Sequence, residues 1–364
     1  MIRLVAILIL TWATGTAHAD TLQTASGPVR VTQMLKGLDT PWAVGILPDG
    51  SFLVTERDGD LLYVSNGKTQ PVSGVPKVAA SGQGGLLDVT VAEDFSQSRE
   101  VFLSFSKPQA DGAGTAVAVA RLSENGQRLT NLRVIFEAMP GGAGGRHFGS
   151  RVVEARDGTL FITLGDRGDR PSAQERSNHM GSVIRITRDG SAPADNPFIG
   201  QPDIRPEIWS FGHRNPQGAG LDLDGQLWVS EHGARGGDEV NAIRKGSNYG
   251  WPVISYGTHY SGEKIGEGTS QAGLEQPEHY WDPSIAPSGL LVYSGKLWPQ
   301  WRGDIFVGSL KFDYMAHLAG SPLREVEQIK GPETERVRDI VEAPDGSIWF
   351  ISVGQGAVYR MTPG

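Results

Sequence analysis

His147 and Asp166 are the residues whose types and spacing best suit proton chemistry. His147 lies in Gly141-Gly-Ala-Gly-Gly-Arg-His-Phe-Gly-Ser-Arg151, a glycine-rich loop entering a strand-like run. Asp166 closes the next such run, in Thr163-Leu-Gly-Asp-Arg167. In a hairpin the start of one strand and the end of the next share an edge of the sheet, so the carboxylate can reach and orient the imidazole. A histidine held this way is a ready general base; the same pair also suits a purely structural, satisfied histidine.

Cations form the second group. Arg214 and Asn215 stand in the cluster His213-Arg-Asn-Pro-Gln-Gly218, Lys311 follows a strand-like run, and Arg336 and Arg338 precede another. Arg336 and Arg338 alternate, so in extended backbone both face one way. Cations drawn from distant positions onto strand ends suit a pocket for a polyanion, although any one arginine is ordinarily a solvated surface charge. The third group is the acidic, glycine-rich loop 231–239, with Glu231, Asp238 and Glu239. Carboxylate and carbonyl oxygens suit Ca²⁺. Zinc does not fit, since the chain has no Cys and no paired-histidine motif.

These groups must be positioned by strands. The chain of 364 residues has 49 Gly and 22 Pro with only 20% charged residues. Short apolar runs bounded by Gly, Pro, Asp and Asn dominate, which predicts an all-β architecture. A turn-plus-strand unit recurs at 47–56, 155–164, 223–231 and 343–352, each with Asp-Gly before the apolar run. Asp-Gly suits a tight turn, because Gly tolerates positive φ. Two weaker units, 92–105 and 298–308, fill the gaps. Six units at this spacing predict a six-bladed β-propeller with four-stranded antiparallel blades, a single domain over 20–364; two stacked sandwiches are the competing arrangement. Residues 29–35 and 356–361 are placed to share a closing blade, and the polar insertion 257–280 is long enough to cover one face.

A net charge of −8 argues against a nucleic-acid binder. Residues 1–19 read as a cleaved signal peptide: Arg3, an apolar run over 4–13, and Ala17-His-Ala19 as the cleavage site. The run is too short to span a bilayer. The expectation is a periplasmic or secreted protein without disulfides, as monomer or homodimer.

Several stretches, taken together, carry a family resemblance. They are Pro41-Trp-Ala-Val, Gly82-Gln-Gly-Gly-Leu-Leu-Asp88, Arg146-His-Phe-Gly-Ser-Arg151, Leu164-Gly-Asp166, Gly212-His-Arg-Asn-Pro-Gln-Gly218, Glu231-His-Gly, Asp238-Glu239, Asn248-Tyr-Gly-Trp251, Ile285-Ala-Pro-Ser288, Ser309-Leu-Lys311 and Arg336-Val-Arg-Asp339. In these the chain resembles the soluble, pyrroloquinoline-quinone (PQQ)-dependent glucose/sorbosone dehydrogenases, and among them the bacterial aldose sugar dehydrogenases. The resemblance implies a six-bladed propeller that oxidises aldoses at C1 to lactones and passes electrons to an external acceptor. It implies His147 as base, Asp166 as its orienting carboxylate, and Arg214 as the group polarising the quinone. Gln83, Asn215, Lys311, Arg336 and Arg338 match cofactor-binding positions, and Ser284 matches one weakly. The Gly233 and Ala234 carbonyls match ligands of the cofactor's Ca²⁺, and Glu239 and Tyr249 those of a second Ca²⁺. The chain departs from the glucose-specific pattern at His232-Gly233-Ala234, where those relatives have Gln-Gly-Pro. It departs again at Asp282, where they place an aromatic beside the substrate, and its loops are shorter; both points favour a more open pocket and a broader aldose range. From the residues alone, a calcium-dependent propeller lactonase and a non-enzymatic binding propeller stay open.

Overall fold

The structure, a computed structural model, describes residues 19–364. The expected leader, except for Ala19, lies outside them. Six antiparallel sheets follow one another along the chain. Blade 1 comprises Pro41–Ile46, Phe52–Glu56, Leu61–Ser65 and Lys68–Pro71. Blade 2 comprises Leu86–Val91, Glu100–Gln109, Gly112–Leu122 and Leu129–Glu137. Blade 3 comprises Val152–Glu154, Leu160–Thr163, Ser182–Ile186 and Ile208–Phe211. Blade 4 comprises Pro216–Leu221, Leu227–Glu231, Asp238–Ala242 and His279–Trp281. Blade 5 comprises Pro287–Val292, Ile305–Ser309, Tyr314–Ala319 and Arg324–Ile329. Blade 6 comprises Val337–Glu342, Ile348–Ser352 and Ala357–Pro363. The first strands of neighbouring blades pack together in cyclic order, closing a six-bladed propeller.

Closure uses both ends of the chain, as expected. Gly27–Lys36 pairs antiparallel with Ala357–Pro363, placing Val29 opposite Pro363. Ala19–Thr24 then pairs with Gly27–Lys36 and adds a fifth strand to blade 6. The ring is thereby sealed by backbone hydrogen bonds between distant parts of the chain.

The recurring Asp-Gly units are the turns between first and second strands in blades 1, 3, 4 and 6. In blade 1, Gly50 N–H donates to Leu47 O and Gly50 takes φ +81°, the left-handed backbone that favours glycine. The Asp49 carboxylate accepts from Ser51 N–H and stiffens the turn. In blade 2 a helical turn at Phe95–Ser98 replaces this device, and in blade 5 a 3-10 turn at Pro299–Trp301. This is why the weaker units lack the Asp-Gly signature.

All six turns of this kind lie on one face, because every first strand runs the same way. First strands therefore begin, and second strands end, on the opposite face. The apolar core sits between blades, as where Trp42, Leu53, Leu86, Leu103 and Phe105 pack together between blades 1 and 2. It holds the strand ends in fixed relative positions.

Candidate active site

The loops that precede first strands and follow second strands converge on one face around a cavity of about 980 Å³. Gln83, His147, Arg214, Asn215, Gly233, Ala234, Ser284, Lys311, Arg336 and Arg338 all line it. A second cavity, about 620 Å³, follows the axis on the turn face and contains none of these residues. The two are separated at the axis by Arg151, which bonds Asp88 at 2.7 Å and Asp339 at 2.9 Å.

His147 precedes blade 3 and Asp166 follows its second strand, as the hairpin argument requires. His147 Nδ1 lies 2.6 Å from Asp166 Oδ1. Asp166 is fully buried and accepts two further bonds, from Gly168 N–H at 2.7 Å and Trp251 Nε1–H at 2.8 Å. Burial alone would raise its pKa, but these bonds outweigh it and hold the group ionised, below the usual carboxylate range. His147 adopts φ +56°, and its backbone N–H donates to Gln83 Oε1 at 2.7 Å. The loop closes only because position 165 is glycine: a Cβ there would come within 2.2 Å of His147 O. Burial, reinforced by Arg214 and Arg146, pulls the His147 pKa below the ordinary histidine value despite Asp166. The imidazole is therefore neutral near pH 7. Its Nδ1–H is committed to Asp166, and its Nε2 lone pair is left to accept a proton.

Arg214 is tied to the same dyad through the backbone: Asp166 N–H donates to Arg214 O at 2.9 Å, and Arg214 N–H donates to Glu231 Oε2 at 2.8 Å. Glu231 is fixed by His213 Nδ1 at 2.9 Å and by Asn241, so it acts as a buried brace. The Arg214 guanidinium donates to His232 O at 3.2 Å, while its buried Nε has no partner among the described residues. Asn215 Oδ1 accepts from Gly149 N–H.

Arg336 and Arg338 both reach the cavity, but not by simple alternation. Arg336 sits just ahead of the strand at φ +52°, and its guanidinium donates to Leu310 O. Arg338 donates to Gln217 Oε1 at 2.8 Å. Burial, with Arg336 and Arg151 nearby, pulls the Arg338 pKa down to about 9. Lys311 is exposed at the mouth, with Nζ 4.8 Å from the Phe312 ring.

The sequence reading missed Trp42, Arg57, Gln217 and Tyr260, which also line the cavity. Gln217 joins Arg338 to His232, accepting from both, with His232 Nε2 at 3.1 Å. Trp42 and Gln217 stand inside the quoted motifs, which was the available signal. Arg57, followed by Asp-Gly-Asp, looks like a solvated turn residue in sequence.

The chain belongs to the glucose/sorbosone dehydrogenase family. Residues 38–360 match that family's model. The chain is 42% identical over 355 residues to an aldose sugar dehydrogenase, YliI, of Escherichia coli, covering 95% of this chain and 96% of the relative. The apo crystal structure of the soluble aldose sugar dehydrogenase from Escherichia coli superposes with TM-score 0.89 at 43% identity, covering 92% and 100% of the two chains. A PQQ-bound aldose sugar dehydrogenase from Streptomyces coelicolor superposes with TM-score 0.76 at 25% identity, covering 92% and 98%.

The cavity of this family member fits a polycarboxylate cofactor: its guanidiniums outnumber the carboxylates that face them, and Arg214 Nε is an orphaned donor. Among the described residues no group of three or more His, Asp or Glu side chains is arranged around a metal. Asp238 is used up within the loop, accepting from Gly233 N–H, Ser284 Oγ and Ala286 N–H. Glu231 is engaged as well, and Asn241 Nδ2 donates to both Glu231 and Glu239, to the latter at 3.1 Å. Glu239 borders a pocket of about 20 Å³ shared with Tyr249. Burial and the adjacent Glu231 push its pKa up to about 8, and the neighbouring Asn241 Oδ1 is unpartnered. Those are the features of an oxygen set suited to a cation. The Tyr249 phenol already bonds Ala242 O and Arg244 N–H, so only its carbonyl could join such a set. No described helix is long and apolar enough to cross a membrane.

Proposed function

We propose that this chain oxidises aldose sugars at the C1 hydroxyl to lactones, with PQQ and Ca²⁺ as cofactors and an external electron acceptor. The observation that carries the reading is the convergence of a neutral, carboxylate-oriented histidine and under-neutralised arginines on one cavity. His147 Nε2 takes the proton of the anomeric hydroxyl, and Asp166 stabilises the imidazolium that forms. Asp166 needs no movement to do so, since Trp251 and Gly168 already fix it. Lys311, Arg336 and Arg338 bind the cofactor's carboxylates, and Gln83 and Asn215 brace the loop that presents His147. Arg214 presents its guanidinium to the oxygen on which negative charge develops. The Gly233 and Ala234 carbonyls hold the cofactor's Ca²⁺; Glu239 and the Tyr249 carbonyl hold a second, structural Ca²⁺. When bound, the quinone supplies the two-electron acceptor for the hydride leaving C1, and its Ca²⁺ supplies Lewis acidity.

The family's activity, the relatives' names and the PQQ-bound neighbour support this reading. It is tested by adding PQQ and Ca²⁺ to purified protein and following sugar-dependent bleaching of a redox dye. Bleaching should require both additions; equal bleaching without the quinone ends the cofactor assignment.

A further inference from the structure

The loop that presents His147 contains Gly141, Gly142, Gly144 and Gly145, so its own backbone does little to fix its shape. The residue after Asp166 supplies what the glycines lack. Arg167 is 8% exposed and sits in left-handed backbone at φ +55°. Successive residues of an extended chain face opposite ways, and this turn lets Asp166 and Arg167 reach the same loop. Asp166 holds the His147 ring. The Arg167 guanidinium holds the backbone before it, donating to Gly144 O at 2.8 Å, to Arg146 O, and to Ala113 O at 3.3 Å. Its Cζ also lies 3.4 Å from the centre of the Phe148 ring. Gly168 leaves room for the Arg146 side chain, since a Cβ there would come within 2.5 Å of Arg146 Nε. Contacts at 144, 146 and 148 thus bracket His147.

This grip is energetically expensive. The partners of the guanidinium are carbonyls, and its buried Nε has none among the described residues. Burial pulls the Arg167 pKa down to about 10. A buried cation without a paired carboxylate is costly to keep. What an apolar side chain could not supply there is a rigid fork of donors that reaches several carbonyls at once. We propose that Arg167 is a positioning residue for proton abstraction: its fork pins residues 144 and 146, and so keeps His147 Nδ1 on Asp166 and Nε2 toward the cavity. The proposal rests on His147 as the base of the sugar-oxidising reading.

Arg167→Met and Arg167→Lys, beside wild type, test it. Lysine keeps a cation but loses the planar fork. Proton NMR of the apoprotein reads the downfield Nδ1–H signal of His147, identified by its loss in His147→Ala. Arg167→Met should broaden that signal through exchange with water. In holoenzyme saturated with PQQ and Ca²⁺ it should lower kcat about 10²-fold, the scale for a reacting group displaced by roughly 1 Å. KM for glucose and the quinone Kd should stay near wild type. Should Arg167→Met fail to fold, Arg167→Lys decides: it should keep a near-wild-type thermal midpoint and still lose the signal and most turnover. Wild-type turnover in a folded variant overturns the proposal, as does lost turnover with the His147 signal intact. A quinone Kd that weakens in step with kcat also overturns it, because Arg167 would then act on the cofactor. An unfolded Arg167→Lys does so too, since the residue would then serve the whole fold. A wild-type holoenzyme that oxidises no aldose sinks the proposed activity, and the apoprotein signal still decides whether Arg167 positions His147.

Discussion

Arg151, buried, and Arg338, half-buried, each lie within 6 Å of the Trp42 ring, yet they are different kinds of charge. Arg151 lies between two aspartates from two other blades, Asp88 and Asp339. Burial works against its charge, but the aspartates outweigh burial and its pKa rises. Arg338 has a neutral glutamine as its partner and cations around it, and its pKa falls to about 9. The first arginine has its charge matched by two carboxylates of the protein and ties three blades together. The second is incomplete, and a ligand anion would complete it. Within a few ångströms the same side chain is matched by carboxylates in one place and left under-neutralised in the other, and the difference is whether the fold supplies those carboxylates.

Four experiments break or sharpen that contrast. The largest effect is expected on chemistry itself. His147→Ala should lower turnover by about 10²–10⁴-fold while PQQ affinity is retained, because the cations that hold the cofactor are untouched. Steady-state dye reduction beside a quinone titration measures both, and near-normal turnover would refute the base assignment. Arg151→Met comes next. It strands two buried aspartates and should cost about 3–5 kcal/mol of stability, read by denaturant unfolding. A loss under about 1 kcal/mol would show that Asp88 and Asp339 are relieved by protonation or water.

Arg338→Met should behave in the opposite sense. The apoprotein should be as stable as wild type or more so, since an under-neutralised, half-buried charge is removed. PQQ affinity should fall by roughly 10- to 100-fold, the scale of one charge-assisted hydrogen bond. An apoprotein destabilised as far as Arg151→Met would erase the distinction between the two arginines. The smallest effect is on pH dependence. His147 has a lowered pKa, so its basic form persists below the usual histidine range and is lost as pH falls through the shifted value. The acid limb of kcat/KM should therefore lie below the ordinary histidine value. Asp166 raises the His147 pKa, so Asp166→Asn should move the limb to still lower pH and reduce turnover. A limb that moves to higher pH in the variant would contradict the pairing.

Much of this was legible in the chain, for local reasons. Asp49, Gly50 and their counterparts announce turns because a carboxylate can cap the next N–H and glycine accepts positive φ. The His147–Asp166 meeting follows from strand direction alone. Blades 2 and 5 were fainter, since a helical turn such as Phe95–Ser98 leaves no comparable signature. The carboxylates of loop 231–239 look alike in sequence, but Asp238 and Glu231 brace the loop, while Glu239, bonded by Asn241, borders the small pocket. Arg57 and Tyr260 were invisible as site residues, because arginine and tyrosine are common on surfaces and only their neighbours give them meaning.

What the sequence by itself determined is the repeat: six turn-and-strand units, each stable only when its apolar faces are covered by the next, and so a closed ring. That follows from hydrogen bonding and hydrophobic burial over a few residues. What only the tertiary structure decided is the pairing of charges. Electrostatic energy depends on separation and on how much water lies between. Ring closure sets those separations for residues as far apart as Asp88 and Asp339, and so clamps Arg151 between two carboxylates while leaving Arg338 bonded only to a neutral glutamine.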